Sequence, residues 1–489
     1  MEQSSLFKLK DGRYFLDENQ SVIYSKIVNA HPQYSSEYKW NEMSMADLFA
    51  DCYRHNTLFC PEMKSWYVYN GQIWVKDTGN VIVNDRLKEF VKLLTIYANE
   101  IDDGEVKADD YRKFVIKLVD RRVRDRIIKD AQTEACVYLN QFDRFPNYIN
   151  CENGTYDLDT NTFHEHRAED YLTLMTNCVY AVETANYKCD RWFQFLDEIM
   201  EGDKEKLEYI HRALGYSLYG LPNEECMFFA YGKTTRNGKG TLFNTVQSIL
   251  GDYATTVSSQ LICFNGTSKN VNDANPVVCS LKGKRFVIMS EVKQNATVDA
   301  EIIKSFTGND NISTRALYGE QFNMKLQCTF FLMCNTLPKI TDRSFFSSDR
   351  GKVIEFTRHF NDQERDTSLK QQFLTKEAKA VIFKWLIDGY KLYKMKKLSE
   401  PECVKKAIEN YEDSNDLVKV FINECCEDDG LSKTMRTEIY EAFDEWRKKG
   451  DYPRLTKVQF YEGMDARYER SHLNGYLYYK GVKLKNPLI

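Results

Sequence analysis

Proline is scarce in this chain, nine among 489 residues, and no low-complexity tract divides it. Domain boundaries therefore have to be read from shifts of pattern. No apolar stretch approaches the ~18 residues of a membrane span. The strongest, around Cys328 to Cys334, is far too short, so no membrane partner is expected. The first residues, MEQSSLFKLKDGRYF, lack the apolar core of an export signal, which predicts a cytoplasmic protein. Fourteen cysteines form no Cys-x-x-Cys pair, and the vicinal Cys425-Cys426 suits neither a bridge nor a zinc site. Reduced thiols are the expectation. A large charge of one sign is also missing: 67 Lys and Arg stand against 72 Asp and Glu. That balance leaves nucleic acid open, because a local basic channel binds phosphates on an acidic protein. With 43% apolar and 13% aromatic residues, intrinsic disorder is excluded as the main state. The length suits about two to four domains.

Residues 1–180 mix short aromatic strands with helices, an α+β pattern. Ser65 to Trp74 reads as a hairpin through Asn70-Gly71, and a helix is expected from Asn84 to about Glu100. A second hairpin is expected to pair Gly154–Leu158 with Phe163-His164, turning at Asp159 to Thr162. Residues 186–220, with apolar positions at helical spacing from Trp192 to Leu218, read as a helical lead-in. Residues 221–360 alternate apolar strands with amphipathic helices, as a parallel or mixed α/β sheet does, and residues 361–398 are helical again. The tail, 415–489, reads as helices followed by the aromatic hairpin Gly475 to Gly481.

The most informative stretch starts with the apolar strand Cys226 to Tyr231. The loop Gly232 to Thr241 follows, then a helix placing Leu242, Phe243, Val246, Ile249 and Leu250 on one face. Glycines at such a strand-to-helix turn let backbone N–H groups converge on phosphate oxygens. Gly232, Thr235, Arg236, Asn237, Gly238, Lys239, Gly240 and Thr241 are the expected nucleotide contacts, with Lys239 reaching the β- and γ-phosphates and Thr241 or a nearby backbone group facing Mg²⁺. The spacing from Gly232 to Gly238 is one residue longer than usual, and Gly240 stands where Ser or Thr normally follows the lysine.

Arg285 to Glu291 is a second apolar run, ending in a carboxylate that could orient water and hold hydrated Mg²⁺. A third, Cys328 to Asn335, ends in an amide that could hydrogen-bond the attacking water. Asp349-Arg350-Gly351 precedes a fourth, and an arginine there could complete a neighbouring subunit's site. Upstream, Asp157, Asp159, His164 and His166 superficially offer metal ligands. Asp159-Thr-Asn-Thr is turn chemistry, however, and strand alternation puts both aspartates on the solvent face, so primase chemistry is not expected.

Together, Tyr231 to Thr241, Arg285 to Glu291, Lys304 to Asp310, Arg315 to Tyr318, Phe331 to Asn335 and Asp349-Arg350 resemble the superfamily 3 helicases. The closest branch is the phage, plasmid and poxvirus primase-helicase family. Asn150 to Asp159 is similar to that branch's segment ahead of the motor. The resemblance implies an α/β chain: an AAA+ P-loop motor over 221–398, an α+β N-terminal collar and a C-terminal winged-helix-like domain over 415–489. It implies ATP and Mg²⁺ as cofactors, with Lys239, Glu291, Asn335 and Arg350 catalytic and Thr241 and Glu291 at the metal. In that branch the strand ends in Ser-Glu, as Ser290-Glu291 does here, whereas many AAA+ proteins have Asp-Glu. A hairpin over Thr314 to Lys325 would grip DNA through Tyr318, Arg315 and Lys325. Within the tail, Thr456 to Tyr468 would be a helix and Tyr476 to Lys485 a wing. From Leu431 onward twelve Lys or Arg stand against eight acids, which suits phosphate contact.

The activity implied is an ATP-dependent helicase of phage or mobile-element replication in the host cytoplasm. Its partners would be single-stranded and duplex DNA, further copies in a hexameric ring, and a separate primase or loader. An origin-binding initiator that melts DNA locally is the alternative. A nucleotide kinase also shares Gly-Lys-Gly-Thr, but the Asn335 and Arg350 strands and the basic tail argue against it.

Overall fold

The computed structural model describes residues 9–10, 13–14, 16–102, 108–181, 189–264, 275–290, 292, 296–314, 322–340, 342, 344–450, 452, 454–473 and 475–485. It divides into two compact units. One comprises residues 1–187 with 248–253 and 379–384, and the other the remainder.

In the first unit, helices Glu18–Ala30, Glu42–Tyr53, Val81–Glu100, Ala108–Lys117 and Arg121–Glu134 enclose a core that includes Phe49, Trp66, Leu87, Phe90 and Tyr111. Their starts are written locally: Asp17 and Gln20 form a capping box, and the Asn41 and Asp120 side chains cap the second and fifth. The expected hairpin is present as Ser65–Tyr69 and Trp74–Lys76. Its loop spans four residues, with Asn70 Oδ1 accepting from the Gln72 and Ile73 amides and Gly71 at φ 98°. The second strand thus starts at Trp74, later than the aromatic run suggests.

The sheet Tyr148–Cys151, Gly154–Asp157, Thr162–His164 supplies the second expected hairpin. One expectation fails here. All four residues of Gly154–Asp157 are buried, so alternation does not put Asp157 in solvent. Its carboxylate accepts from Asn147 Nδ2, the Asp159 amide and Thr160 Oγ1. Burial opposes its charge, but these donors outweigh that and hold the carboxyl below its usual range. It is turn chemistry, as its neighbours suggested, but inside.

The second unit is built on five parallel strands: β1 (Met227–Tyr231), β2 (Ala254–Val257), β3 (Phe286–Met289), β4 (Thr329–Cys334) and β5 (Gly351–Glu355), in the order β2-β3-β4-β1-β5. Every strand but β2 is almost wholly buried, hence the continuous apolar runs. Helix α1 (Lys239–Leu250) leaves β1. The lead-in is two helices, Asp190–Ile199 and Lys204–Tyr216, broken where Glu201 and Gly202 take positive φ. After β5 the chain is not helical until Leu369–Gln372 and Lys376–Lys396, so the expectation of helix from residue 361 is corrected.

The C-terminal residues form a module with its own core, including Phe421, Phe443, Phe460 and Tyr479. Its order is helix Leu417–Cys425, strand Cys426–Met435, helices Arg436–Lys449 and Lys457–Asp465, then strands Arg470–Leu473 and Tyr476–Leu484. The last strand lies in the middle of an antiparallel sheet. The strand Cys426–Met435 escaped sequence reading because it is polar and bulged between Asp428 and Lys433.

Candidate nucleotide site

The carboxyl ends of strands in an open α/β sheet are where ligands bind, and the loop after β1 lies there. The Gly232 amide donates to the Cys334 carbonyl (3.1 Å), joining the loop to the end of β4. A Cβ on Gly232 would stand 2.3 Å from Asn237 Nδ2 and 2.7 Å from the Phe356 carbonyl oxygen, so no other residue fits. Arg236 and Gly238 take left-handed φ of 57° and 82°, which turns the chain into α1 despite the extra residue. Asn237 is buried, and its Nδ2 donates to the Thr234 carbonyl at 2.6 Å.

Lys239 opens α1 and is only 6% exposed. Its ammonium donates to the Gly232 carbonyl (3.2 Å), the Cys334 carbonyl (2.7 Å) and Asn335 Oδ1 (3.0 Å). Two of the sequence-predicted residues, Lys239 and Asn335, are thus brought together by the adjacency of β1 and β4. Gly240 faces open space, with nothing within 4 Å of a Cβ built there, and Thr241 is half-buried in the same turn. A helix start with an open face and a buried cation beside it is a place for phosphate oxygens.

A second wall was not foreseen. The Phe356 amide donates to Tyr231 O (2.6 Å) and the Phe360 amide to Arg236 O (2.9 Å). His359 Nδ1 lies 2.8 Å from Thr235 O, an acceptor only, so that nitrogen carries the proton. Arg236 pairs with Asp362. Thr235 and Arg236 therefore hold the loop through their carbonyls and one side-chain ion pair. Beside the loop lies a cleft of about 370 Å³, bounded by Gly238, Gly240 and Thr241, by Arg191 and Phe195, and by Phe360, Arg365, Leu369 and Lys370. Glu364 and Asp366 line it too, so the cleft offers a base joined to phosphates an aromatic and aliphatic wall among charges of both signs. The residue types of 191–195 and 360–370 carry no motif; only the fold makes them neighbours.

Glu291, Arg315 and Tyr318 lie outside the described residues. Ser290, just before Glu291, accepts from the Ser259 amide through its hydroxyl (3.2 Å) and donates its own amide to Val257 O. Lys325 is exposed, paired with Asn311 in the hairpin Asn311–Thr314, Phe322–Lys325. Among the described residues no cluster of three or more His, Cys, Asp or Glu could hold a metal.

Arg350 is at the other end of the sheet. Gly351 pairs with Met227 and Glu355 with Tyr231, so about 13 Å of strand separates Arg350 from the loop of its own chain. Its guanidinium donates to Glu225 Oε2 (2.6 Å), Glu225 O (3.3 Å) and Thr307 Oγ1 (2.7 Å). The structure does not join it to Lys239 within one chain.

Residues 46–201 match the family described as D5 N terminal like, and residues 230–350 match a family of unknown function, DUF5906. The chain is 25% identical over 426 residues to "Putative helicase L207/L206" of Acanthamoeba polyphaga mimivirus, covering 80% of this chain and 44% of that protein. It is also 25% identical over 357 residues to "Putative helicase V13" of Sputnik virophage, covering 66% of this chain and 43% of that one. The chain thus spans less than half the length of these curated relatives. Among solved structures, the apo A form of the NrS-1 C-terminal region is similar at 11% identity and a TM-score of 0.46, over 86% of this chain and 95% of that one. The chain resembles the phage and viral primase-helicase family. No helix among the described residues is long and apolar enough to cross a membrane.

Proposed function

We propose that the chain is the motor part of a superfamily 3, AAA+-type DNA helicase that hydrolyses ATP as a ring, with a hexamer as the expected form. The observation that carries the reading is the buried Lys239 ammonium, held at the ends of β1 and β4 beside the open N-terminus of α1. ATP fits this setting: Gly240 leaves room for phosphate oxygens, Lys239 meets their charge, and the cleft walled by Phe195, Phe360 and Leu369 takes the base. Mg²⁺, when bound, would neutralise phosphate charge. Thr241 would face it, with Glu291 as the acid after β3. Asn335 would position the attacking water.

In a ring of identical copies joined head to tail, residues far from a chain's own site meet the neighbour's. Arg350 is proposed to act there, stabilising the transferred phosphoryl group after leaving Glu225. The hairpin ending at Lys325 would contact the DNA strand in the channel, with Arg315 and Tyr318. The C-terminal module is proposed to be winged-helix-like and to bind DNA, a reading supported by its order of helix, strand, two helices and two strands. Residues 1–180 would form the collar that docks a primase or loader. Lys239→Ala tests the reading: DNA-stimulated ATP hydrolysis should vanish while the far-ultraviolet circular dichroism spectrum stays unchanged. Unaltered turnover would refute it.

A further inference from the structure

In the C-terminal module, exposed aromatic and aliphatic side chains beside lysines single out one sheet face. From Leu431 to Asp465 the seven Lys or Arg are balanced by seven acids. From Ala466 to Lys485, Arg467, Arg470, Lys480, Lys483 and Lys485 stand against Glu469 alone. The module as a whole is close to neutral, with Glu427, Asp428 and Asp429 on the strand Cys426–Met435, so its local positive charge is that of the last hairpin. The third helix, Lys457–Asp465, lines through Gln459 and Glu462 a cleft of about 1140 Å³ whose walls mix the carboxylates of Asp299, Glu301 and Asp342 with Lys339, Arg454 and Arg467, so its charge favours neither sign.

The hairpin register identifies what the sheet shows to solvent. Tyr479 is fully buried and Thr434, its cross-strand partner, nearly so, which fixes the core face. Tyr476, Tyr478 and Lys480 therefore share the outer face, with Leu473 opposite Tyr476 and Lys433 opposite Lys480. Tyr476 is 58% and Leu473 50% exposed at the tip, beside Gly475, around which a Cβ would meet nothing. Lys480 is held near Glu469 at 2.7 Å, and Lys433 is exposed.

We propose that this outer face, with Tyr476 as its platform, binds an unpaired stretch of nucleic acid. The tyrosine ring would stack on a base, Leu473 would pack against its edge, and Lys433 and Lys480 would meet the phosphates. Stacking requires a base free of its partner, so the ligand is single-stranded rather than duplex. The inference deepens the proposed DNA-acting function but stands on surface chemistry that does not involve the nucleotide site.

The test is fluorescence anisotropy of a labelled oligothymidine of about 20 nucleotides with the full chain and no nucleotide. Tyr476→Ala should weaken binding about tenfold or more, Tyr476→Phe should retain it, and the Lys433→Glu, Lys480→Glu pair should reduce the salt slope. Unlabelled duplex of equal length should compete poorly. Wild-type affinity in Tyr476→Ala, or duplex competing as well as single strand, overturns the proposal. Basal ATP hydrolysis, measured without DNA on the same Tyr476→Ala protein, should be unchanged; its loss there would also count against this assignment. Failure of the motor reading would show separately, as turnover retained by Lys239→Ala.

Discussion

If Arg350 serves the neighbouring copy, a protein lacking it should be rescued by a protein lacking something else. Arg350→Ala removes one ion pair, to a Glu225 that is 45% exposed, and hydrogen bonds to Thr307 and the Glu225 carbonyl. An exposed pair contributes about 0–1 kcal/mol and each neutral-acceptor hydrogen bond about 1, so the fold loses roughly 2 kcal/mol. That is a few degrees of melting temperature in a unit of this size. Loss of a charge-stabilising arginine at a phosphoryl-transfer site costs about 10³–10⁵ in rate, far more than such destabilisation explains. Arg350→Ala and Lys239→Ala should each be inactive alone. In an equal mixture a competent site needs a copy with Lys239 beside a copy with Arg350. With random assembly about a quarter of interfaces qualify, so ATP turnover should return to roughly that share of wild type. A mixture no more active than its two components would refute the trans role and leave Arg350 as the structural tie to Glu225 and Thr307.

Two further outcomes are expected. His211 stacks on Trp385 at 4.1 Å and lies 2.6 Å from the Trp385 carbonyl, and burial pushes its imidazole below the ordinary 6.5. The unfolded chain then takes up the proton first, so stability present above pH 6.5 is lost as pH falls from there towards the folded value. His211→Gln should flatten the fall in melting temperature between pH 7 and 5.5; an unchanged slope would be contrary. Gly238→Ala should cost about 2–4 kcal/mol, from its left-handed φ and a Cβ 2.3 Å from Ile199 Cγ2, and should weaken nucleotide binding by calorimetry.

What could be read in advance followed from local rules. The four strands that carry the site are continuous apolar runs, and such runs bounded by Gly or polar residues mark strands buried on both faces. The position of Arg350 was also implicit: in a parallel sheet a residue before one strand lies at the opposite end from a residue after another. Asp157 was misread because alternation holds only where one face meets water, and Gly154–Asp157 has none. The wall from Phe356 to Lys370 could not be read at all. Its amides and His359 meet the loop through the register of β5 on β1, and neither segment signals the other.

That register also bears on how Asn335 works. Among the described residues three acceptors engage the Lys239 ammonium, so a phosphate oxygen reaching it would displace one of them. The Gly232 and Cys334 carbonyls belong to the backbone at the joined ends of β1 and β4, where the Gly232 amide already bonds Cys334 O; moving either strains the joint between these strand ends. The Asn335 amide needs only a rotation about its side-chain bonds. If ATP binds as proposed, Asn335 is the acceptor expected to yield, and its donor and acceptor would then be available for water beside the γ-phosphate. Removing it should therefore make ATP binding easier and hydrolysis harder. Asn335→Ala is expected to bind ATP as tightly as wild type or a few-fold tighter, since one competing hydrogen bond of about 1 kcal/mol is gone. Its single-turnover hydrolysis should fall about tenfold or more, as befits a lost water-positioning group. Measured by titration and rapid quench, weaker binding with unimpaired hydrolysis would contradict the displacement argument at its root.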